Sequence, residues 1–139
     1  MGKKQGQVGI IIGSESDREV MESCTATLED MGVSMIYPEI TVASAHRDPD
    51  AVDEFIEKTK EQGAKIIIAA AGMSAALPGV IASKTNLPVI GVPMTSPLLG
   101  FDSLLSISQM PKGVPVATMS IGEHGAINAA HFAKRILDL

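Results

Sequence analysis

The chain has one cysteine, no long apolar run and no excess of positive charge, and each lack removes a class of function. A lone thiol builds neither an intrachain disulfide nor a Cys-rich metal site. Cys24 falls at an apolar position of a helical pattern, so it is expected in the core of a protein of the reducing cytoplasm. No segment approaches the roughly 18 uninterrupted apolar residues of a membrane-spanning helix. Residues 1–7 are polar rather than the apolar centre of a secretory signal. With 11 Lys and Arg against 16 Asp and Glu, the formal net charge is −5. A nucleic-acid or anionic-membrane surface needs a basic stripe, so neither partner is expected, whereas a small phosphorylated ligand held by local donors remains open. His46, His124 and His131 lack metal-ligand spacing, and no metal is expected. The glycine-rich fingerprints of ATP and dinucleotide sites are missing too.

What the chain does have is alternation. Its 139 residues, 45% hydrophobic, suit one domain over residues 1–139 with a sheet covered on both faces. Short β-branched runs alternate with helical patterns, which predicts parallel strands joined by crossover helices. Strands are expected at residues 8–12, 33–41, 65–70, 88–92 and 116–120. A first helix is expected from about Ser16, where Ser16 and Glu19 have capping-box spacing; Val20, Cys24, Leu28 and Met31 form its apolar stripe, and Gly32 ends it as a left-handed cap. A second has Asp48 as cap and Pro49 at its first position, buries Val52, Phe55 and Ile56, and stops at Gly63. A third, small and apolar, runs from Leu77 to about Thr85. Proline and glycine punctuate residues 94–113, leaving room for a short helix from Asp102 to about Gln109 in a segment long enough to be a lid or an interface. The last helix spans about 126–139, with Ile127, Ala130, Ala133, Ile136 and Leu137 as its stripe. The expected fold class is α/β, a three-layer αβα sandwich around a flavodoxin-like parallel five-stranded sheet of order 2-1-3-4-5. In that order the turns after the first three strands converge at the topological switch point.

Those three turns carry the chemistry. Ser44-Ala45-His46-Arg47 precedes the second helix and places a proton carrier beside a fixed cation. An imidazole gives and takes protons near neutral pH, and His46 is the leading candidate for a general acid/base. Arg47 can clamp a phosphate or carboxylate, or pair with Asp48 or Asp50 on the surface. In the first turn Ser14, Ser16 and Asp17 offer hydroxyls and a carboxylate to a ligand, although Ser16 can equally cap the helix and Asp17 favour its dipole. In the third turn Gly72 and Gly79 permit close backbone approach, with Ser74 as a polar contact, or serve tight packing. A phosphoacceptor receiver is ruled out because the third strand ends in Ala69-Ala70-Ala71 rather than an aspartate, and no hydroxyl-rich flavin phosphate loop is present.

Read in order, Gly13-Ser14-x-Ser16-Asp17, Ser44-Ala45-His46-Arg47-x-Pro49, Ala71-Gly72 through Leu77-Pro78-Gly79, Pro88-Val89-Ile90-Gly91-Val92-Pro93, Asp102-Ser103-Leu104-Leu105-Ser106-Ile107 and Gln109-Met110-Pro111 resemble the PurE family of purine biosynthesis, over nearly the whole chain. The resemblance implies an N5-carboxyaminoimidazole ribonucleotide (N5-CAIR) mutase or an aminoimidazole ribonucleotide (AIR) carboxylase, both making 4-carboxyaminoimidazole ribonucleotide (CAIR). It implies His46 as general acid/base, with Ser14, Asp17, Ser44, Ala45, Arg47, Gly72, Ser74 and Leu77 about the ribonucleotide substrate and CO2, and no cofactor. It also implies a flavodoxin-like subunit, a homo-octamer, and an ATP-dependent N5-CAIR synthetase as functional partner.

Two departures shape the choice between branches. Mutase-type members usually read His-Leu-Pro-Gly in the third turn, where this chain reads Ala76-Leu77-Pro78-Gly79. Ser74 and Ala76 resemble the CO2-using branch, whereas Arg47 and Leu77-Pro78-Gly79 resemble the mutases, so the mutase is expected and the carboxylase is its alternative. Many members also carry a further C-terminal helix beyond the position of Leu139; if that helix covers a neighbouring subunit, either the assembly is altered or the sequence is a shortened piece. A non-catalytic nucleotide-binding module is the reading from another class, and the polar set at His46, Arg47, Ser14 and Asp17 counts against it.

Overall fold

Three apolar runs make the centre of the sheet. In the computed structural model, which describes residues 6–139, β1 (Val8–Ile12), β3 (Ile66–Ala71) and β4 (Val89–Pro93) are buried at every position, as strands covered on both faces must be. The polar stretch read at residues 1–7 lies, up to Gln5, outside the described residues. Short edge strands β2 (Thr41–Val42) and β5 (Ala117–Thr118) complete a parallel sheet of order β2-β1-β3-β4-β5. That is the expected flavodoxin-like α/β sandwich.

Period-two alternation sends the strand side chains to two cores. On one face Val8, Ile10, Ile12, Ile66, Ile68, Ala70, Ile90 and Val92 pack against α1 (Arg18–Asp30) and α5 (Glu123–Leu137). On the other, Ile11, Ile67, Ala69 and Val89 meet α2 (Pro49–Glu61), α3 (Leu77–Ala82) and α4 (Phe101–Ser108) through Val52, Phe55, Leu77, Ile81 and Ile107. Cys24 lies in the first core, and burial pushes its thiol up to about 12, which leaves it protonated and unreactive. Thr59, also fully buried, spends its hydroxyl on the Phe55 carbonyl one turn back at 2.8 Å. Among the described residues no helix is long and apolar enough to cross a membrane.

Several boundaries differ from expectation. The strand expected at residues 33–41 is only Thr41–Val42, joined by one isolated bridge from Met35 to Val8. Between them Pro38 has no N–H to give a ladder, so pairing breaks there. The fifth strand contracts to Ala117–Thr118. The Ser16 capping box does not form: Ser14 is the cap, accepting the Ser16 N–H at 3.3 Å, and residues 15–17 make a 3₁₀ turn before α1. Gly32 does close α1 at φ 73°, where the Val33 N–H reaches the Leu28 carbonyl. Asp48 caps α2 as expected, accepting the Ala51 N–H. The third helix stops at Ala82, and the fifth begins earlier, at Glu123, burying Ala126, Ala129, Ala130 and Ala133 in place of Ile127.

Candidate active site

The chain crosses over in one direction from β1 to β2 and in the other from β3 to β5, so β1 and β3 flank the switch point. Backbone pairing continues past the strands and holds the following turns in place. The Gly13 N–H reaches the Ala70 carbonyl, the Ala43 N–H the Ile12 carbonyl, and the Met94 N–H the Ala71 carbonyl, each at 3.0 Å. Above these ends opens a cavity of about 720 Å³, of the size that holds a small ligand.

Lining it are Ser14, Ser16 and Asp17 from the first turn, Ser44, Ala45, His46 and Arg47 from the second, and Gly72, Ser74 and Leu77 from the third, whereas Gly79 lies outside it, packed against Met110. In the second turn the Ser44 hydroxyl accepts the Arg47 N–H at 3.2 Å and the Ser44 carbonyl accepts the Asp48 N–H at 2.8 Å. This closes the loop directly into α2 and leaves His46 and Arg47 exposed on it. Among the described residues His46 makes no hydrogen bond and Arg47 no ion pair, so the surface pairing of Arg47 with Asp48 or Asp50 is not formed. An unpaired guanidinium at the mouth of a cavity, beside the N-terminus of α2, is a natural partner for an anionic group.

The first turn is organised around Ser14, whose hydroxyl also lies 2.9 Å from that of Ser16. Asp17 makes no ion pair among the described residues, and half-burial pushes its carboxyl from 3.8 up to about 6. The folded state therefore holds this proton more tightly than the unfolded chain, and stability is lost as pH rises from about 4 through about 6. Asp17→Asn is expected to remove that cost, raising stability above pH 7 by about 1–2 kcal/mol after discounting solvent screening. It should flatten the slope between those pH values in denaturant titrations. A site residue that costs stability in the empty protein is a mark of function over folding.

In the third turn Met73 holds φ 54°, an uncommon conformation for a side chain of its size, and the Ala75 and Ala76 N–H groups bond back to the Met73 and Ser74 carbonyls. A fourth wall comes from the segment expected only as a lid or an interface, none of whose residues the sequence reading assigned to the site: Thr95, Ser96 and Pro97, from the loop after β4, close the side next to the third turn. The signal was available in the expected strand order, which puts the end of β4 beside that of β3. Among the described residues no group of His, Cys, Asp or Glu is arranged to hold a metal. His124 and His131 lie on α5, away from the cavity. A larger groove, about 1160 Å³, opens at the opposite end of the strands near Lys65, Pro88 and Pro115, but it lies at strand N-termini and no histidine lines it.

Residues 7–139 match the family model described as AIR carboxylase. The chain is 54% identical over 134 residues to "N5-carboxyaminoimidazole ribonucleotide mutase" of Bacillus subtilis, covering 96% of this chain and 81% of that one. It is 52% identical over 140 residues to the protein of the same name from Pyrococcus horikoshii, covering 100% and 76%. Among solved structures it resembles Treponema denticola PurE with a TM-score of 0.84 and 27% identity, over 95% of this chain and 80% of that one.

Proposed function

Because the chain belongs to the AIR carboxylase family, we propose that it works in purine biosynthesis as an N5-carboxyaminoimidazole ribonucleotide mutase, converting N5-CAIR to CAIR. The observation that carries the reading is the convergence of His46, Arg47, Ser14, Asp17 and Ser44 on one cavity at the switch point. Arg47 and the serines bind the ribose phosphate, and Asp17 accepts from ribose hydroxyls or the amine. Ala45, Gly72 and Leu77 shape an apolar wall beside the imidazole.

His46 performs two proton transfers. As an acid it protonates the carbamate nitrogen; the C–N bond breaks, its electron pair stays on nitrogen, and CO2 is set free in the cavity. The electron-rich C4 of the ring then attacks CO2, and the neutral imidazole of His46 removes the C4 proton to restore aromaticity. Holding CO2 against the ring makes recombination effectively intramolecular. The scheme uses no metal or organic cofactor. An ATP-dependent N5-carboxylating enzyme supplies the substrate, and a cytoplasmic setting goes with it.

Direct carboxylation of AIR is the second reading, favoured by Ala76, which lines the cavity where mutase-type sequences usually carry histidine. The two separate in one assay. With N5-CAIR alone at low CO2, CAIR is expected to form; formation only from AIR with bicarbonate, rising with CO2, would move the protein to the carboxylase branch. Assembly into a homo-octamer belongs to the same reading and is supported by the exposed apolar group Leu98, Leu99, Phe101 and Leu105. Sedimentation at assay concentration should show a large assembly, and a stable monomer would contradict it.

A further inference from the structure

The fourth wall of the cavity is held by a hydrogen-bond hub that no contact with a ligand explains. The Ser96 hydroxyl accepts the Leu98 N–H at 3.2 Å and the Gly100 N–H at 3.1 Å, and donates to Asp102 Oδ1 at 2.5 Å. A hydroxyl has one proton and two lone pairs, and here all three are engaged. Although Ser96 lines the cavity, it has nothing left to offer a substrate. An ionised carboxylate accepts only, so Asp102 dictates the direction of the Ser96 proton and turns both lone pairs toward the loop.

The loop needs such a hub. Leu99 sits at φ 61°, in the left-handed region that a branched side chain avoids, and Gly100 follows at φ 85°. Such backbone persists where its surroundings over-determine it. The other end of the loop is already fixed, because the Met94 N–H bonds to the Ala71 carbonyl and the Gly122 N–H to the Pro93 carbonyl. Asp102, on the first turn of α4, is the clasp that closes it.

We infer that Asp102 is a positioning residue that, through Ser96, holds the 95–97 wall against the third turn and so keeps the released CO2 in the cavity until C4 captures it. The inference rests on the mutase reading. Carbon dioxide carries no net charge for Arg47 or Asp17 to grip, so its retention depends on closure of the walls. The ribose phosphate, held by polar groups from the other turns, does not. Loosening the clasp therefore changes the fate of an intermediate more than the binding of substrate. After the C–N bond breaks and the amine takes its proton from His46, CO2 leaves to solvent instead of joining C4, and AIR is released.

The test is the ratio of AIR released to CAIR formed from N5-CAIR, corrected for uncatalysed loss of the carbamate. In Asp102→Ala the ratio is expected to rise at least about tenfold, with KM for N5-CAIR changed by less than about threefold. Asp102→Asn, which keeps an oxygen acceptor, should return it close to wild type. Should Asp102→Ala fail to fold, Ser96→Ala decides by the same ratio, since it removes the hub and leaves the partly buried carboxylate in place. An unchanged ratio in the folded variant, or an Asn variant as leaky as the Ala one, overturns the inference. A wild type that makes no CAIR from N5-CAIR overturns the activity and the inference together.

Discussion

His46→Asn is expected to leave a folded protein whose kcat on N5-CAIR is at least about 10³-fold lower, within the range removed with a positioned general acid/base. The magnitude follows from the double use of one group. Asparagine neither protonates the carbamate nitrogen nor takes the C4 proton, so both halves of the reaction lose their proton carrier. Stability should hardly move, because His46 is exposed and makes no hydrogen bond among the described residues; substitutions of that kind stay within about 0.5 kcal/mol. In the proposed mechanism substrate binding rests on Arg47, Ser14, Asp17 and Ser44, so KM should change little beside kcat. Steady-state kinetics with a thermal melt of the same sample checks all three. A variant retaining activity within tenfold of wild type would remove His46 from the chemistry.

Gly125→Ala is expected to be the most damaging single-methyl change in the fold. Gly125 is buried in the first turn of α5, and a Cβ there would stand 1.7 Å from the Ser120 carbonyl oxygen and 2.7 Å from its carbon. These are backbone atoms, with no flexible side chain to swing aside. Relief requires moving the start of α5 away from residues 120–122, and that segment ties α5 to the sheet through the 2.8 Å bond from the Gly122 N–H to the Pro93 carbonyl. The expected cost is about 3–5 kcal/mol, enough to unfold a domain of ordinary stability. Denaturant titration would measure it, and a loss below about 1 kcal/mol would mean that the helix end adapts freely. Thr95 of the cavity wall follows Pro93 by two residues, so a partly folded variant should also lose activity.

The parts legible in sequence were those governed by local pattern. The first strand needs only five consecutive apolar residues between a glycine-bearing turn and polar flanks, and it spans Val8–Ile12 as expected. Asp48-Pro49 announces the start of α2 through side-chain capping and the fixed φ of proline, both local effects. The three polar turns were visible because each follows a strand, and parallel order places their ends together. What stayed hidden depends on distant partners or on choices between adjacent residues. Residues 33–40 have strand composition, but Pro38 leaves a gap in the ladder. Ser14 and Ser16 are both able to cap, and only the backbone of the turn decides for Ser14. The Ser96 hub joins residues two, four and six positions away within a segment whose composition reads only as irregular. The same irregularity hid the fourth wall of the site.

Retention of label is the most direct measure of whether this cavity runs the mutase reaction with trapped CO2. N5-CAIR carrying ¹³C in its carbamate would be converted in unlabelled bicarbonate, and the ¹³C content of the CAIR carboxylate read by mass spectrometry. Most of the label is expected in the product. CAIR carrying the isotopic composition of the bicarbonate would mean that its CO2 comes from solution, contradicting the mutase and assigning the chain to direct carboxylation.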